Sequence, residues 1–229
     1  MWDFDHDMRR WDEIAREAHA RHCRDSNSAY VQAQSIVEAR AHRYVAALAA
    51  SHRRVVELGV GGGEHLAFAP HLDRHDVYMG VDISPAFADI CRARFGIPVT
   101  VADLAALPFD DASYDCAIAI SLLEHVEQLE QGLKEVARVL APGGRFYAVI
   151  PTNGSIAVNL FKMTMTYPTM RRRGIRRPDL VWHYLNVNTF KRVRALLHSQ
   201  FHVTRERALP LPGLPWQLSP LWGFECLRR

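Results

Sequence analysis

Residues 55–66 read VVELGVGGGEHL: an apolar run that carries a carboxylate at Glu57, followed by glycines at 59, 61 and 63 with a further one at 62. A short apolar run that breaks into alternate glycines marks a strand of a parallel sheet turning out of its edge. Glycine tolerates positive φ and lets a ligand approach the main chain, while a turn from strand to helix leaves unpaired N–H groups aimed at whatever sits there. This stretch therefore decides the fold and narrows the ligand.

Two spacings compete for the loop. Dinucleotide enzymes use G-x-G-x-x-G, with the pyrophosphate on the helix N-terminus. Counting from Gly59 puts Glu64 at the third position, where a carboxylate repels a pyrophosphate; counting from Gly61 puts Leu66 there. The pattern that fits is E-x-G-x-G-x-G, filled by Glu57, Gly59, Gly61 and Gly63.

Outward from the loop the rhythm repeats. RVVELG, DVYMGVD, IPVTVAD, YDCAIAIS and RFYAVIP are short β-rich runs apolar enough to be buried on both faces. Helical segments at 64–70, 85–95 and 129–140 alternate with them, which implies βαβ units. Ser84 and Pro85 supply an N-cap and a proline at the first helical position, and APGGR (141–145) ends the third helix. Residues 8–50 favour helix and predict two helices beside the sheet. After Pro151 comes a Met- and Arg-rich insert to about Tyr184, then helix-like NTFKRVRALLHSQF and strand-like FHVTRER and WGFECLRR.

The 229 residues suit one α/β core with decorations, organised as a helical lid (1–50), a ligand-binding core (51–150), a substrate-side insert (151–187) and a C-terminal helix with strands (188–229). The sequence holds no run of eighteen apolar residues, its first residues do not read as a charged-then-apolar segment of the secretory kind, and the four cysteines form no CxxC pair. A cytoplasmic, reducing compartment is expected. The net charge of +3 conceals an asymmetry: residues 151–229 hold 13 Lys/Arg against 3 Asp/Glu, and residues 1–150 hold 15 against 22. A local positive field of that size attracts phosphates, carboxylates or acidic surfaces.

With these motifs in place, residues 53–150 resemble the class I S-adenosylmethionine-dependent methyltransferases, of the type 11-like, small-molecule kind. The resemblance implies a Rossmann-like, doubly wound, seven-stranded mostly parallel sheet with helices on both faces, an N-terminal helical lid and an insert after the fifth strand. It implies an antiparallel hairpin for the last two strands and S-adenosyl-L-methionine as cofactor. In that family the glycine loop closes over the methionine moiety, with the acidic residue, here Glu57, near its ammonium group. Asp82, at the end of GVDIS, can accept two hydrogen bonds from a ribose diol, and Ile83 offers an apolar surface to the adenine. The family places an acidic acceptor for the adenine amine where Asp103 stands, with Leu104 beside the ring. Ser121, at the tip of the fourth strand, completes the cofactor set. The plainer alternatives are helix caps for Asp82 and Asp103, a surface ion pair of Glu57 with Arg53 or Arg54, and a structural Asp115.

Methyl transfer from a sulfonium needs alignment and sometimes proton removal, not an enzyme nucleophile. Candidates for the proton lie beyond the fourth and fifth strands: Glu124 and His125, then Tyr147, Thr152 and Asn153. His125 is the candidate general base, and as the alternative it only lines the pocket. SLLE occupies the place where nucleobase and glutamine amide methylases carry Asn/Asp-Pro-Pro-Tyr, so a small molecule accepting on oxygen or aliphatic nitrogen is favoured over DNA. Tyr30, Asn153, Trp182, His183 and the arginines Arg171 and Arg172 are the substrate-side candidates, with Phe161, Met163, Met165, Tyr167, Tyr184 and Asn186. The Arg171–Arg177 run reads as a solvated surface, an anion clamp, a site for a phosphate-bearing carrier, an acidic membrane face or an RNA contact. An RNA methyltransferase and a non-catalytic cofactor-binding protein are the runner-up functions. The pairs His19/His22 and His71/His75 lack a third ligand, so no metal is expected.

Overall fold

The computed structural model describes residues 3, 5–10, 13, 29–69 and 72–229, with backbone alone for residues 29–35. Helix α1 (Ala29–Ala49) leads into β1 (Arg54–Leu58), β2 (Val77–Asp82), α2 (Pro85–Phe95), β3 (Val99–Val101) and β4 (Tyr114–Ile120). Then come α3 (Leu129–Val139), β5 (Leu140–Pro151), α4 (Ile156–Phe161), a π-helical turn (Lys162–Thr166), α5 (Tyr167–Arg172) and α6 (Pro178–Leu185). The chain closes with α7 (Phe190–Gln200), β6 (Phe201–Leu209) and β7 (Leu221–Arg228).

The seven strands form one sheet in the order β3-β2-β1-β4-β5-β7-β6, parallel through β5, with β7 antiparallel between β5 and β6. Alternation along each strand divides the core. Val56, Leu58, Ala117, Ala119, Phe146 and Ala148 face α3 and α7, while Val55, Cys116, Ile118 and Val149 face α1 and α2. Both faces are covered, as the uninterrupted apolar runs require. Because β1 has β2 on one side and β4 on the other, the chain reverses its direction of travel across the sheet there, and ligands of open α/β sheets bind at the strand ends beside such a reversal.

The expected Ser84 cap holds, its Oγ accepting from Phe87 N, and Gly96 closes α2 with φ +67°. The first crossover departs from expectation. In place of a helix over 64–70 the described residues form a 3₁₀ turn at Leu66–Phe68, since the glycine loop occupies residues that a helix would need for its first turn. The β5 pairing also starts earlier, with Tyr114 opposite Leu140, and then slips before Cys116 meets Arg145, so APGGR is carried as a bulge.

The insert has a small core of its own, Met170, Ile175 and Val181, against which Met8, Tyr167 and Leu185 pack. Asp7, fully buried in the helical stretch 5–10, accepts from the backbone N–H groups of Arg176 (3.0 Å) and Arg177 (2.8 Å). The N-terminal segment is thereby fastened to the insert. Among the described residues no helix is long and apolar enough to cross a membrane.

Candidate functional site

Parallel register brings the ends of β1, β2, β3 and β4 to one edge: Leu58 lies opposite Val81 and Ala119, and Asp82 opposite Val101. Gly59, Gly61 and Gly63 leave the β1 tip with φ of +66°, +55° and +85°. Two of the three are required by the protein itself. A Cβ on Gly59 would stand 2.7 Å from Leu122 Cδ1, and one on Gly63 would stand 2.5 Å from the Phe95 ring. At Gly61 the nearest atom is the Glu64 carboxylate at 3.0 Å, so only this glycine faces open chemistry.

The loop is sewn to the β2 tip. Val60 N donates to Val81 O at 3.0 Å, and Gly61 N donates to Asp82 Oδ2 at 2.9 Å. Asp82 Oδ1 accepts from Ser84 N at 2.8 Å, so both oxygens of this 8% exposed carboxylate hold main-chain N–H groups. The negative charge is compensated by amide dipoles, and each oxygen keeps a further lone pair. Beside it Ile83 presents 69% of its surface to solvent. Asp103 is exposed, with Oδ1 taking the N–H of Ala105 at 2.9 Å. Ser121 is exposed at the β4 tip in the left-handed region, φ +49°, a strained conformation for a residue with a Cβ.

One anticipated cofactor contact and one plainer alternative need correction. Leu104 is 7% exposed and its side chain rests on Gly132 of α3, so it belongs to the core and not to an open ring face. Glu57 pairs with neither Arg53 nor Arg54. It is 3% exposed and accepts from the Tyr78 hydroxyl at 2.6 Å; burial pushes its carboxyl up to about 8, against the lowering effect of that bond. Arg53 instead pairs with Asp76, and Asp115 accepts the N–H groups of Arg53 and Arg54, the structural duty expected of it.

Beyond β4, Glu124 and His125 stand side by side. Glu124 is 3% exposed, Oε2 has no hydrogen-bond partner, and burial raises its carboxyl above the usual range. Oε1 lies 3.6 Å from His125 Nε2, and the other ring nitrogen, Nδ1, donates to the Leu185 carbonyl at 2.6 Å. That bond fixes the tautomer and leaves Nε2 as the lone-pair atom. A groove of about 540 Å³ opens here, lined by His125 and Glu127 from the β4 loop and by His183, Tyr184, Leu185 and Val187 from the insert.

Asn188, absent from the expectations, joins the two walls. It is 1% exposed; its N–H donates to Glu124 O at 3.0 Å, and its Nδ2 donates to Leu123 O (3.0 Å) and Val126 O (2.6 Å). An asparagine just before a helix reads as cap or turn in sequence, so nothing local announced this clamp.

The other candidates are scattered. Asn153 Nδ2 donates to Asn186 Oδ1 at 2.8 Å, and Trp182 carries Lys162 Nζ 5.4 Å above its ring. Arg171 and Arg172 are exposed and do not line the groove, whereas His183 does. Tyr147 is withdrawn: its hydroxyl meets His52 Nε2 at 3.1 Å, and His52 precedes β1 at the opposite edge of the sheet. Thr152 is fully buried and bonded to Ser155 and to the Ser219 carbonyl, a structural role. Tyr30 lies on α1 where only backbone is described, and His19, His22 and His71 fall outside the described residues. Among the described residues no group of three His, Cys, Asp or Glu could hold a metal ion.

Residues 56–148 match the family model described as "Methyltransferase domain". A sterol 4-C-methyltransferase of Caenorhabditis elegans is 40% identical over 83 residues, 32% of this chain and 25% of that protein. A fatty-acid O-methyltransferase of Mycolicibacterium smegmatis is 32% identical over 97 residues, 41% and 35% of the two chains. The chain thus matches well under half the length of these relatives. Among solved structures, an S-adenosylmethionine-dependent methyltransferase of Thermotoga maritima superposes with a TM-score of 0.58 at 19% identity, over 99% of this chain and 96% of that one.

Proposed function

We propose, from the match of residues 56–148 to the methyltransferase-domain model, that the protein is a class I S-adenosylmethionine-dependent methyltransferase that methylates a small, largely apolar molecule on an oxygen or an aliphatic nitrogen. One observation carries the reading: the Gly61–Asp82 clamp and the oriented His125 imidazole rise from β1, β2 and β4, the strands that meet where the sheet reverses. The strand tips fit S-adenosylmethionine because Asp82 retains free lone pairs next to the open apolar face of Ile83. Asp82 would hold the ribose diol and Asp103 the adenine amine, with the glycine loop lying along the methionine end. When bound, the cofactor supplies an electrophilic methyl group and its own leaving group.

The chain's own contribution is alignment and a place for one proton. With Nδ1–H committed to the Leu185 carbonyl, Nε2 of His125 accepts the proton that leaves the acceptor atom. A proton on that ring puts a cation 3.6 Å from Glu124 Oε1, which favours the ionised carboxyl that burial otherwise suppresses. Tyr184, Leu185 and Val187 give the groove an apolar wall, in keeping with relatives named for a sterol and a fatty acid.

Calorimetry with S-adenosylhomocysteine tests the cofactor site. Asp82→Ala removes a charged acceptor, and the expected weakening is at least about tenfold. Transfer of labelled methyl from S-adenosylmethionine to a panel of fatty acids and sterols tests the substrate class. A chain that fails to bind the nucleoside at all, or a variant that binds as tightly as the parent, refutes the site; binding without transfer to any apolar acceptor refutes the substrate class.

A further inference from the structure

The insert turns three large apolar side chains to solvent: Ile156 is 64% exposed, Leu160 62% and Met163 70%. Their spacing of four and three residues places them along one side of α4 and the start of the π-helical turn. A helix that served only as a sheet cover would bury such a row. Here α4 buries Val158, and the row is left without a covering element among the described residues.

The same stretch of helix ends in cations. Arg171 and Arg172 close α5 and Arg176 follows; all three are exposed. Arg177 is paired with Asp179 at 2.7 Å, but Arg171, Arg172 and Arg176 have no carboxylate partner among the described residues. Between 151 and 185 the sequence holds six Lys/Arg and one acid, Asp179, which that pair already uses.

We propose that this face is a docking surface for a bilayer containing anionic lipid. An apolar row followed by unpaired arginines is the chemistry of an interfacial helix, with Leu and Met side chains among the acyl chains and guanidinium groups at the phosphates. The choice of bilayer over RNA follows from which side chains are open. Binding a single strand needs a run of exposed ring faces, yet Trp182 carries Lys162 over its ring, Tyr167 packs on the insert's core, and Tyr184, 57% exposed, lies in the groove and not on the row. The side chains most exposed along the row are aliphatic or thioether. Helix α6, which packs against α5, carries the Tyr184 and Leu185 wall of the groove, so docking brings the groove to the membrane surface. The surface stands independently of the methyl-transfer reading, since it concerns a different set of residues and is tested by binding alone.

The test is co-sedimentation with vesicles of phosphatidylcholine, with and without about 30% phosphatidylglycerol, at low and high salt. The protein is expected to pellet with the anionic vesicles and to be released by salt. Each arginine near an anionic surface contributes about fivefold in partitioning, so the Arg171→Ala, Arg172→Ala, Arg176→Ala triple variant should lose roughly 100-fold. The Leu160→Gln, Met163→Gln double variant should lose about tenfold or more while melting at the parent's temperature, because both side chains are exposed. Failure to pellet, equal pelleting with neutral vesicles, unchanged partitioning in both variants, or arginine-dependent capture of single-stranded RNA without vesicle binding would each overturn the proposal.

Discussion

Replacing Glu57 with glutamine isolates a titration that the fold suppresses. The ordinary carboxyl value is 4.5; in the folded chain burial pushes it up to about 8, with the Tyr78 bond opposing the rise and Glu64 adding to it. Below the lower value both states are protonated and Glu57 contributes nothing to the pH dependence. As pH rises through the window the unfolded chain sheds the proton and the folded chain keeps it, so stability falls, and the loss is complete above the upper value. At ~1.4 kcal/mol per pH unit the window corresponds to roughly 4–5 kcal/mol as a ceiling. Relaxation around a buried carboxylate lowers that figure, and about 3 kcal/mol is a working value. Glutamine keeps an oxygen for the Tyr78 hydroxyl but cannot ionise. The variant should therefore match the parent below about pH 4 and exceed it by about 3 kcal/mol near pH 8.5, some 6–12 °C in Tm for a domain of this size. Thermal unfolding followed by circular dichroism in half-unit pH steps gives both profiles, and their difference cancels the other titrating groups. Parallel profiles, or a variant less stable than the parent at alkaline pH, would show that the carboxyl is not held neutral.

Three further outcomes follow from the site. If S-adenosylmethionine seats its ammonium near Glu57, binding near pH 7 should release up to one proton and tighten as pH rises toward about 8; calorimetry in buffers of different ionisation heat reads this, and Glu57→Gln should abolish the release. His125→Gln should lower kcat by about 10²–10³ with KM little changed, and a variant retaining full kcat would reduce His125 to a wall residue. Asn188→Asp points an acceptor at the Leu123 and Val126 carbonyls, so it should destabilise the protein by about 2–4 kcal/mol. In that variant, hydrogen exchange should rise first in residues 121–128 and 183–188; uniform exchange across the chain would contradict a local clamp.

The strand tips were legible because each strand carries its own local signature, and a parallel sheet brings all the C-terminal ends to one edge whatever the loops do. Asp82 could be placed in this way, and so could the Ser84–Pro85 start of α2. What the sequence could not show was mutual packing. Gly59 and Gly63 were read as clearance for a ligand, yet the atoms they clear are Leu122 and Phe95, which come from elements 63 and 32 residues further along. Tyr147 was counted among the residues beyond the fourth and fifth strands, but it lies within β5, which aims its hydroxyl at the other edge. Asn188 and Asp7 act by bonding to main chain more than sixty residues away, and no periodicity encodes that.

The charge asymmetry of the sequence now divides by location and by means. A carboxylate in a low-dielectric crevice must either be compensated or give up its charge. Asp82 follows the first course, with one main-chain N–H on each oxygen. Glu57 and Glu124 follow the second, kept toward the neutral form by burial. The acidic two-thirds of the chain therefore presents one standing negative charge at the β2 tip and two latent ones beside it, to be drawn out by a cationic ligand or by a proton on His125. The basic third has no such latency. In the C-terminal layer Arg194 is spent on Glu206 and Arg205 lies 3.8 Å from Glu225, and in the insert Arg177 is paired with Asp179, while Arg171, Arg172 and Arg176 are exposed with no carboxylate partner among the described residues. Positive charge held open at the surface, with a reserve of negative charge behind it, is what the proposed docking to an anionic bilayer and the proposed sulfonium cofactor would each call on.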